Sequence, residues 1–317
     1  MDKSITIAAG IDTAKAKLDV AIHGSKQHWQ FVNAAAGWDE LAKLMRARKV
    51  TRIGIEATGG YERNVVERLR KAGFVVVVLQ PIQVRAFAQL TLSRAKNDRI
   101  DAGLIAACTA WRNSVREPPD PRLAPFADQL TFIEQTEEDI ARIKVRLEHV
   151  RDAGMRQTML DDVARLKQRR ANMIAKLTTA VRRHDDLARR LDLVMTIDGI
   201  ATRTALALII RMPELGNLSR GQAAALIGLA PFVHESGKRK GESHIAGGRS
   251  RPRKSLYSAA LPAAFRWNRQ LIDLYQRLIG AGKPHKVALV ACARKLIVFA
   301  NAVLARATPW TKMIAAT

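Results

Sequence analysis

A chain of 317 residues, 48% of them hydrophobic, is long enough for about two domains and too apolar to be a disordered polyelectrolyte. Its 53 Lys and Arg against 29 Asp and Glu leave a formal charge of +24, which repels itself in a compact fold unless a polyanion neutralises it. Nucleic acid is the partner this predicts, because each neutralised phosphate releases a counterion; a basic protein with no specific chemistry is the plainer alternative.

Residues 1–120 predict an α/β domain. "ITIAAGID" and "KLDVAIH" are short β-type runs joined by "TAKA", and "HWQFVN" supplies a third. "GWDELAKLMRAR" (37–48) has helical spacing, with Trp38, Leu41, Leu44 and Met45 on one face. "RIGIEA" is a further strand, and "GGYERNVVERLRKAG" a helix stopped by Gly73. "FVVVVLQP" reads as a strand buried on both faces, after which Pro81 opens another helix. A meander followed by alternating strands and helices predicts one mixed sheet with helices on its faces.

"REPPDPRLAP" (116–125) reads as a linker. Residues 121–190 predict two long charged helices broken near Gly154, either a solvated surface pair or a coiled-coil hairpin that dimerises or spaces domains. Residues 191–317 predict a mostly helical domain with basic loops. Within it, "MTIDGIATRTALALII" (195–210) resembles a helix-hairpin-helix, whose turn offers backbone N–H groups to phosphate. The turn here is Asp198-Gly199-Ile200-Ala201, with an acid in place of the usual proline and Ala for the last Gly, which weakens that contact; a helix corner in the core is the alternative. The two cysteines, Cys108 and Cys292, lie far apart in apolar settings with no Cys/His cluster, which excludes a zinc finger and predicts buried thiols in a reducing cytosol. No signal-peptide pattern opens the chain, and apolar runs such as 74–79 fall short of a membrane span, so the expectation is a soluble cytoplasmic protein without a membrane partner.

Four carboxylates carry the candidate chemistry. Asp12 and Glu56 end strands, while Asp98 and Asp101 stand three apart on one helix face in "KNDRIDA". Acids converging on a sheet edge in a basic protein suit one or two Mg²⁺, a hard ion that prefers carboxylates and can stabilise a leaving oxygen at a phosphodiester. Taken singly, each is equally a turn, cap or first-turn acid. The stretch 231–254 is a Gly- and Ser-rich loop whose cations, Lys238, Arg239, Lys240, Arg249, Arg251, Arg253 and Lys254, are candidate nucleic-acid contacts; a basic arm without chemistry is the alternative. Ser236, Ser243 and Ser250 are candidate nucleophiles there, and the residues alone select none of them.

"GIDTAKAKLDVAI", "IEATGGYE" and "KNDRIDA" resemble, in order, the three blocks of the DEDD transposases of the one-ten insertion-sequence family; "GGRSRPRKSLY" and "GKPHKVALVACARKLIVFANAVL" look most like its eleven-eleven subgroup. The resemblance implies a RuvC-like (RNase H-like) N-terminal domain, the four carboxylates as catalytic metal ligands, and a C-terminal transposase domain. It also implies a catalytic serine in a Ser-Gly pair after the segment Gly228-Leu229-Ala230-Pro231, which selects Ser236. A phosphoserine intermediate would need no ATP, and no Gly-x-x-x-x-Gly-Lys-Ser/Thr loop is present. A noncoding bridge RNA that pairs with DNA, a homodimer or homotetramer, and action at the bacterial nucleoid are implied as well. The 5% aromatic content fits contacts to the nucleic-acid backbone better than base stacking. A metal-dependent Holliday-junction nuclease using the carboxylates alone, and a non-enzymatic nucleic-acid binder, are the competing functions.

Overall fold

The structure, a computed structural model, describes residues 7–92, 98–112, 120–232, 235–236, 239–240 and 244–310, without the side chains of 98–99, 232, 235–236 and 239–240. The chain divides into two compact units, residues 1–117 and 118–317.

The first unit runs β1 (Ala8–Thr13), β2 (Lys17–Ile22), β3 (His28–Val32), α1 (Ala35–Ala47), β4 (Arg52–Glu56), α2 (Arg63–Lys71), β5 (Val75–Leu79), α3 (Pro81–Leu90) and α4 (Asp98–Trp111). The expected mixed sheet is present, in the order β3-β2-β1-β4-β5. β1, β2 and β3 pair antiparallel, while β4 and β5 join parallel to β1. Ile11, Ile53 and Ile55 face α1 and α2, packing on Leu41, Met45, Val65 and Leu69. The other face packs Val77 and Leu79 against Ile105 and Cys108 of α4 and Val84 of α3. Gly73, at φ 89°, ends α2 as its sequence predicts, and Pro81 opens α3 behind a reciprocal Gln80–Gln83 cap.

The second unit runs α5 (Leu123–Leu147), α6 (Ala153–Arg182), α7 (Asp185–Met195), α8 (Thr202–Arg211), α9 (Arg220–Ile227), β6 (Pro231–Phe232), β7 (Glu235–Ser236), β8 (Arg239–Lys240), β9 (His244–Ile245), α10 (Ser250–Pro262), a π-turn (Ala263–Trp267), α11 (Arg269–Gly280) and α12 (His285–Arg306). α8 is buried from Thr204 to Ile210 and forms the centre of this unit's core. α5 and α6 form a hairpin that breaks at 148–152, near Gly154 as expected, and Asp152 caps α6 by accepting from the Met155 N–H at 2.7 Å. The residues of the presumed linker from Leu123 onward are already helical. One helix, α12, has the length and composition of a membrane span, so the longest apolar stretch is not residues 74–79 as the sequence suggested; Leu289, Cys292, Leu296 and Ile297 bury it in this core.

The turn at 198–201 is a core corner. Ile197 and Ile200 are buried, Asn268 donates to the Asp198 carbonyl at 3.1 Å, and a Cβ on Gly199 would collide with Ala263.

Candidate active site

Asp12 is the last residue but one of β1, and Glu56 closes β4. The parallel register pairs Ala8 with Arg52 and Ile11 with Ile55, so the two acids follow side by side on strands about 4.8 Å apart. Strand alternation turns Ile11 and Ile55 into the α1/α2 core and puts Gly10, Asp12, Gly54 and Glu56 on the opposite face, under α4. α4 runs antiparallel to β4: Arg52 at the strand's start donates to the Arg112 carbonyl beyond the helix end at 2.5 Å, and Gly54 lies beneath Ile105 and Thr109. The first turn of α4, which carries Asp98 and Asp101, therefore faces the ends of β1 and β4. Asp12, Glu56 and Asp101 are all half-buried, and the Asp98 side chain lies outside the described residues.

The loops beyond the two strands are tied together. Asn33 donates to the carbonyls of Ala14 (2.9 Å) and Tyr61 (3.2 Å) and accepts from the Trp38 indole at 2.8 Å. Glu62 accepts from the N–H groups of Thr58 and Gly60, holding the turn after Glu56. Sequence reading missed these supports, and missed Asp19. Asp19 is directly opposite Asp12, on the same face, 4% exposed, and held by Gln30 at 2.9 Å and Lys17 at 3.1 Å. The single acid within the otherwise apolar run that follows Lys17 in "KLDVAI" was the available signal.

Among the described residues no three acids, histidines or cysteines are gathered closely enough to hold a metal ion. The donor set at this edge is carboxylate only, which suits a hard divalent cation.

In the second unit, the presumed serine loop is a hairpin. β6 pairs with β9 (Pro231 with Ile245), and β7 pairs with β8 (Ser236 with Arg239), so Ser236 flanks the tip. Lys238 and Ser243 lie outside the described residues, as do the side chains of Ser236, Arg239 and Lys240. The base of the hairpin is narrow. A Cβ on Gly228 would collide with the Gly247 carbonyl and the Arg253 guanidinium, and one on Gly248 would strike the Gly228 backbone. Arg253 donates to Gly247 (2.5 Å), Gly228 (3.3 Å) and Ile227 (3.4 Å), joining the strand that enters to the strand that leaves.

The remaining cations of this segment have protein partners. Arg249 grips Glu214 with both nitrogens, at 2.8 and 2.6 Å, and donates to the Arg211 carbonyl. Arg251 meets Glu134 at 2.6 Å, and Lys254 meets Glu138 at 3.0 Å, holding that carboxyl below the usual carboxylate range. Glu134 also receives Arg211 at 3.0 Å, and burial lowers the pKa of that guanidinium. Four of the seven cations expected to touch nucleic acid thus have partners in the hairpin base, in α5 and in the segment from the end of α8 to Glu214.

Residues 9–159 match the DEDD family model of the IS110 group, described as "Transposase", and residues 191–276 match "Transposase IS116/IS110/IS902 family". The chain carries the domains of an IS110-family transposase. The transposase is 26% identical over 321 aligned residues to the pilin gene-inverting protein of Moraxella bovis, across 96% of this chain and 98% of the relative; the pilin gene-inverting protein of Moraxella lacunata matches with the same figures. A solved structure of Thermus thermophilus RuvC aligns at 15% identity and a TM-score of 0.25, covering 32% of the transposase and 91% of that chain. The two family matches and the gene-inverting relatives make the transposase an enzyme of DNA recombination, with DNA as substrate.

Proposed function

We propose that this transposase cuts and rejoins DNA through Ser236, with Asp12, Glu56, Asp98 and Asp101, of the same or another subunit, acting on the same phosphate. The Ser236 oxygen attacks phosphorus and gives up its proton. The bond to the 3′ oxygen breaks, that oxygen takes a proton, and the strand is held as a 5′-phosphoserine. The free 3′-hydroxyl of another strand then attacks the same phosphorus and releases the serine. The number of phosphodiester bonds is unchanged, so no nucleotide cofactor is consumed. Mg²⁺ bound by the four carboxylates would supply charge to the pentavalent transition state. The four acids would hold that ion at the strand ends, Asn33 and Glu62 keep the flanking loops in place, and Arg253 keeps the serine hairpin closed at its base.

The observation that carries this reading is the antiparallel run of α4 over Gly10 and Gly54, which brings the Asp98–Asp101 turn toward the strand ends bearing Asp12 and Glu56. It fits a RuvC-like catalytic domain at 1–120, followed by a helical hairpin at 121–190 and a transposase domain at 191–317. The relatives' name, a gene-inverting protein, fits an enzyme that breaks and rejoins at two sites, and so a homodimer or homotetramer acting on DNA in the bacterial cytoplasm. We place the chain in the eleven-eleven subgroup with a bridge RNA as guide; the +24 charge suits two nucleic-acid partners at once.

The test is excision of a plasmid-borne element with its native flanks, scored as circle junctions, for the wild type, Asp98→Ala and Ser236→Ala. Loss of circles in both soluble variants, with a serine-dependent DNA adduct on denaturing gels, supports the mechanism. Circles made by Ser236→Ala would assign cutting to the carboxylates alone, the junction-nuclease reading. Unchanged circles in Asp98→Ala would remove that acid from the site.

A further inference from the structure

The chain has few aromatic residues, yet the second unit exposes a cluster of them. Pro262 lacks the N–H that would continue α10, and the backbone widens into the π-turn Ala263–Trp267. Ala263 and Ala264 are buried, Ala263 against Gly199, while Phe265 and Trp267 are 54% and 57% exposed. The turn is anchored rather than frayed. Asn268 caps α11 by accepting from Leu271 and donates to the Asp198 carbonyl. Phe265 meets the Tyr275 ring edge-on at 4.9 Å and stacks on His285 at 6.3 Å, and Tyr275 and His285 are hydrogen bonded at 2.7 Å. Arg266 lies over the Trp267 ring at 4.9 Å.

Large exposed aromatic rings carry an energetic cost unless something covers them. Charge selects the occupant. Between residues 261 and 287 stand five Lys or Arg and one acid, Asp273, which Arg269 already holds at 3.2 Å. Lys283 and Lys286, beside His285, remain exposed. Protein interfaces favour aromatics and Arg but are depleted in Lys. Rings bordered by lysines suit a base that stacks while its phosphate meets a cation, and only an unpaired base presents its face.

We propose that Phe265 and Trp267 form a stacking site for unpaired nucleotides of single-stranded DNA or RNA. The inference rests on nucleic acid as the partner and is independent of Ser236 as nucleophile; binding is therefore measured without cleavage, in the Ser236→Ala protein. Full-length Phe265→Ala and Trp267→Ala proteins would be titrated with labelled oligo(dT), oligo(rU) and a mixed-sequence duplex of equal length, following anisotropy. Each substitution is expected to weaken both single strands at least about fivefold, the scale of one lost base–ring contact, and the duplex less than about twofold. Trp267→Phe should retain most of the affinity. Should the alanine variants melt early, Trp267→Leu preserves apolar volume without an aromatic face and is read in the same way. Equal losses on single strand and duplex, or no loss on either, would overturn the proposal. So would loss of self-association in sedimentation with unchanged single-strand affinity, which would assign the patch to protein contact.

Discussion

Gly10 and Gly54 lie directly opposite one another on adjacent parallel strands, and α4 rests on both. A Cβ at Gly10 would run into the backbone of Ala102 and Ala106, whereas one at Gly54 would strike the Thr109 hydroxyl, which donates to the Ile105 carbonyl at 2.7 Å. This closeness sets where the first turn of α4 lies. Gly10→Ala should therefore destabilise more than Gly54→Ala, by about 1–3 kcal/mol or more, since backbone yields less than a side chain. Adding Thr109→Ala to Gly54→Ala should recover part of its loss. Thermal melting of the four proteins checks the order, and equal melting points would mean that α4 is not so close.

Asp12→Asn, Glu56→Gln and Asp101→Asn should each slow strand cleavage at least about 100-fold, the scale of one lost transition-state contact, with melting temperature little changed. Chelation of divalent cations should do the same to the wild type. Asp19→Asn should act more mildly, because Asp19 is held by Lys17 and Gln30 beside the site. Cleavage at the wild-type rate in any of the first three would remove that residue from the chemistry.

Arg253→Gln separates two roles for the same cation. As a clamp on Gly228 and Gly247, its loss should slow circle formation while DNA affinity and its salt slope hold. As a phosphate contact, it would lower affinity on all sequences and reduce the slope by about one. Binding isotherms at several salt concentrations, set beside the rate, distinguish the two.

Glu134 is nearly buried and faces Arg203, Arg211 and Arg251. Glu134→Gln takes the carboxylate from Arg211 and Arg251, while Arg203 keeps Glu137 at 2.9 Å, and should cost about 3 kcal/mol, at the low end for a buried pair because water reaches Arg251. Differential scanning calorimetry should show a drop of several degrees, and Glu138→Gln, at an exposed pair, a drop near zero.

Burial pushes the Cys292 thiol up to about 11 and raises that of Cys108 as well. A raised thiol pKa lowers the thiolate fraction at neutral pH, so reactivity should appear only as the pH climbs toward the raised value. A thiol-disulfide dye at pH 7 should label neither cysteine in the native protein and both of its two cysteines after unfolding.

The strands, the helix stop at Gly73, the helix start at Pro81, and the position of each acid within its element were legible in the sequence, because periodicity, capping and backbone restriction act over a few residues. The domain pairing was legible too, from motifs in order. Partners were not. The loop "GGRSRPRK" reads as free charge, yet Arg251 finds Glu134 at 117 positions' remove and Arg249 finds Glu214 at 35. The fate of the turn at Gly199, the neighbour of Asp12 at Asp19, and the gathering of rings around Phe265 follow the same rule. An ion pair or a stacked ring is chosen by distance in space, and only the packing of α5, α8, α10 and the strands decided which residues came within reach.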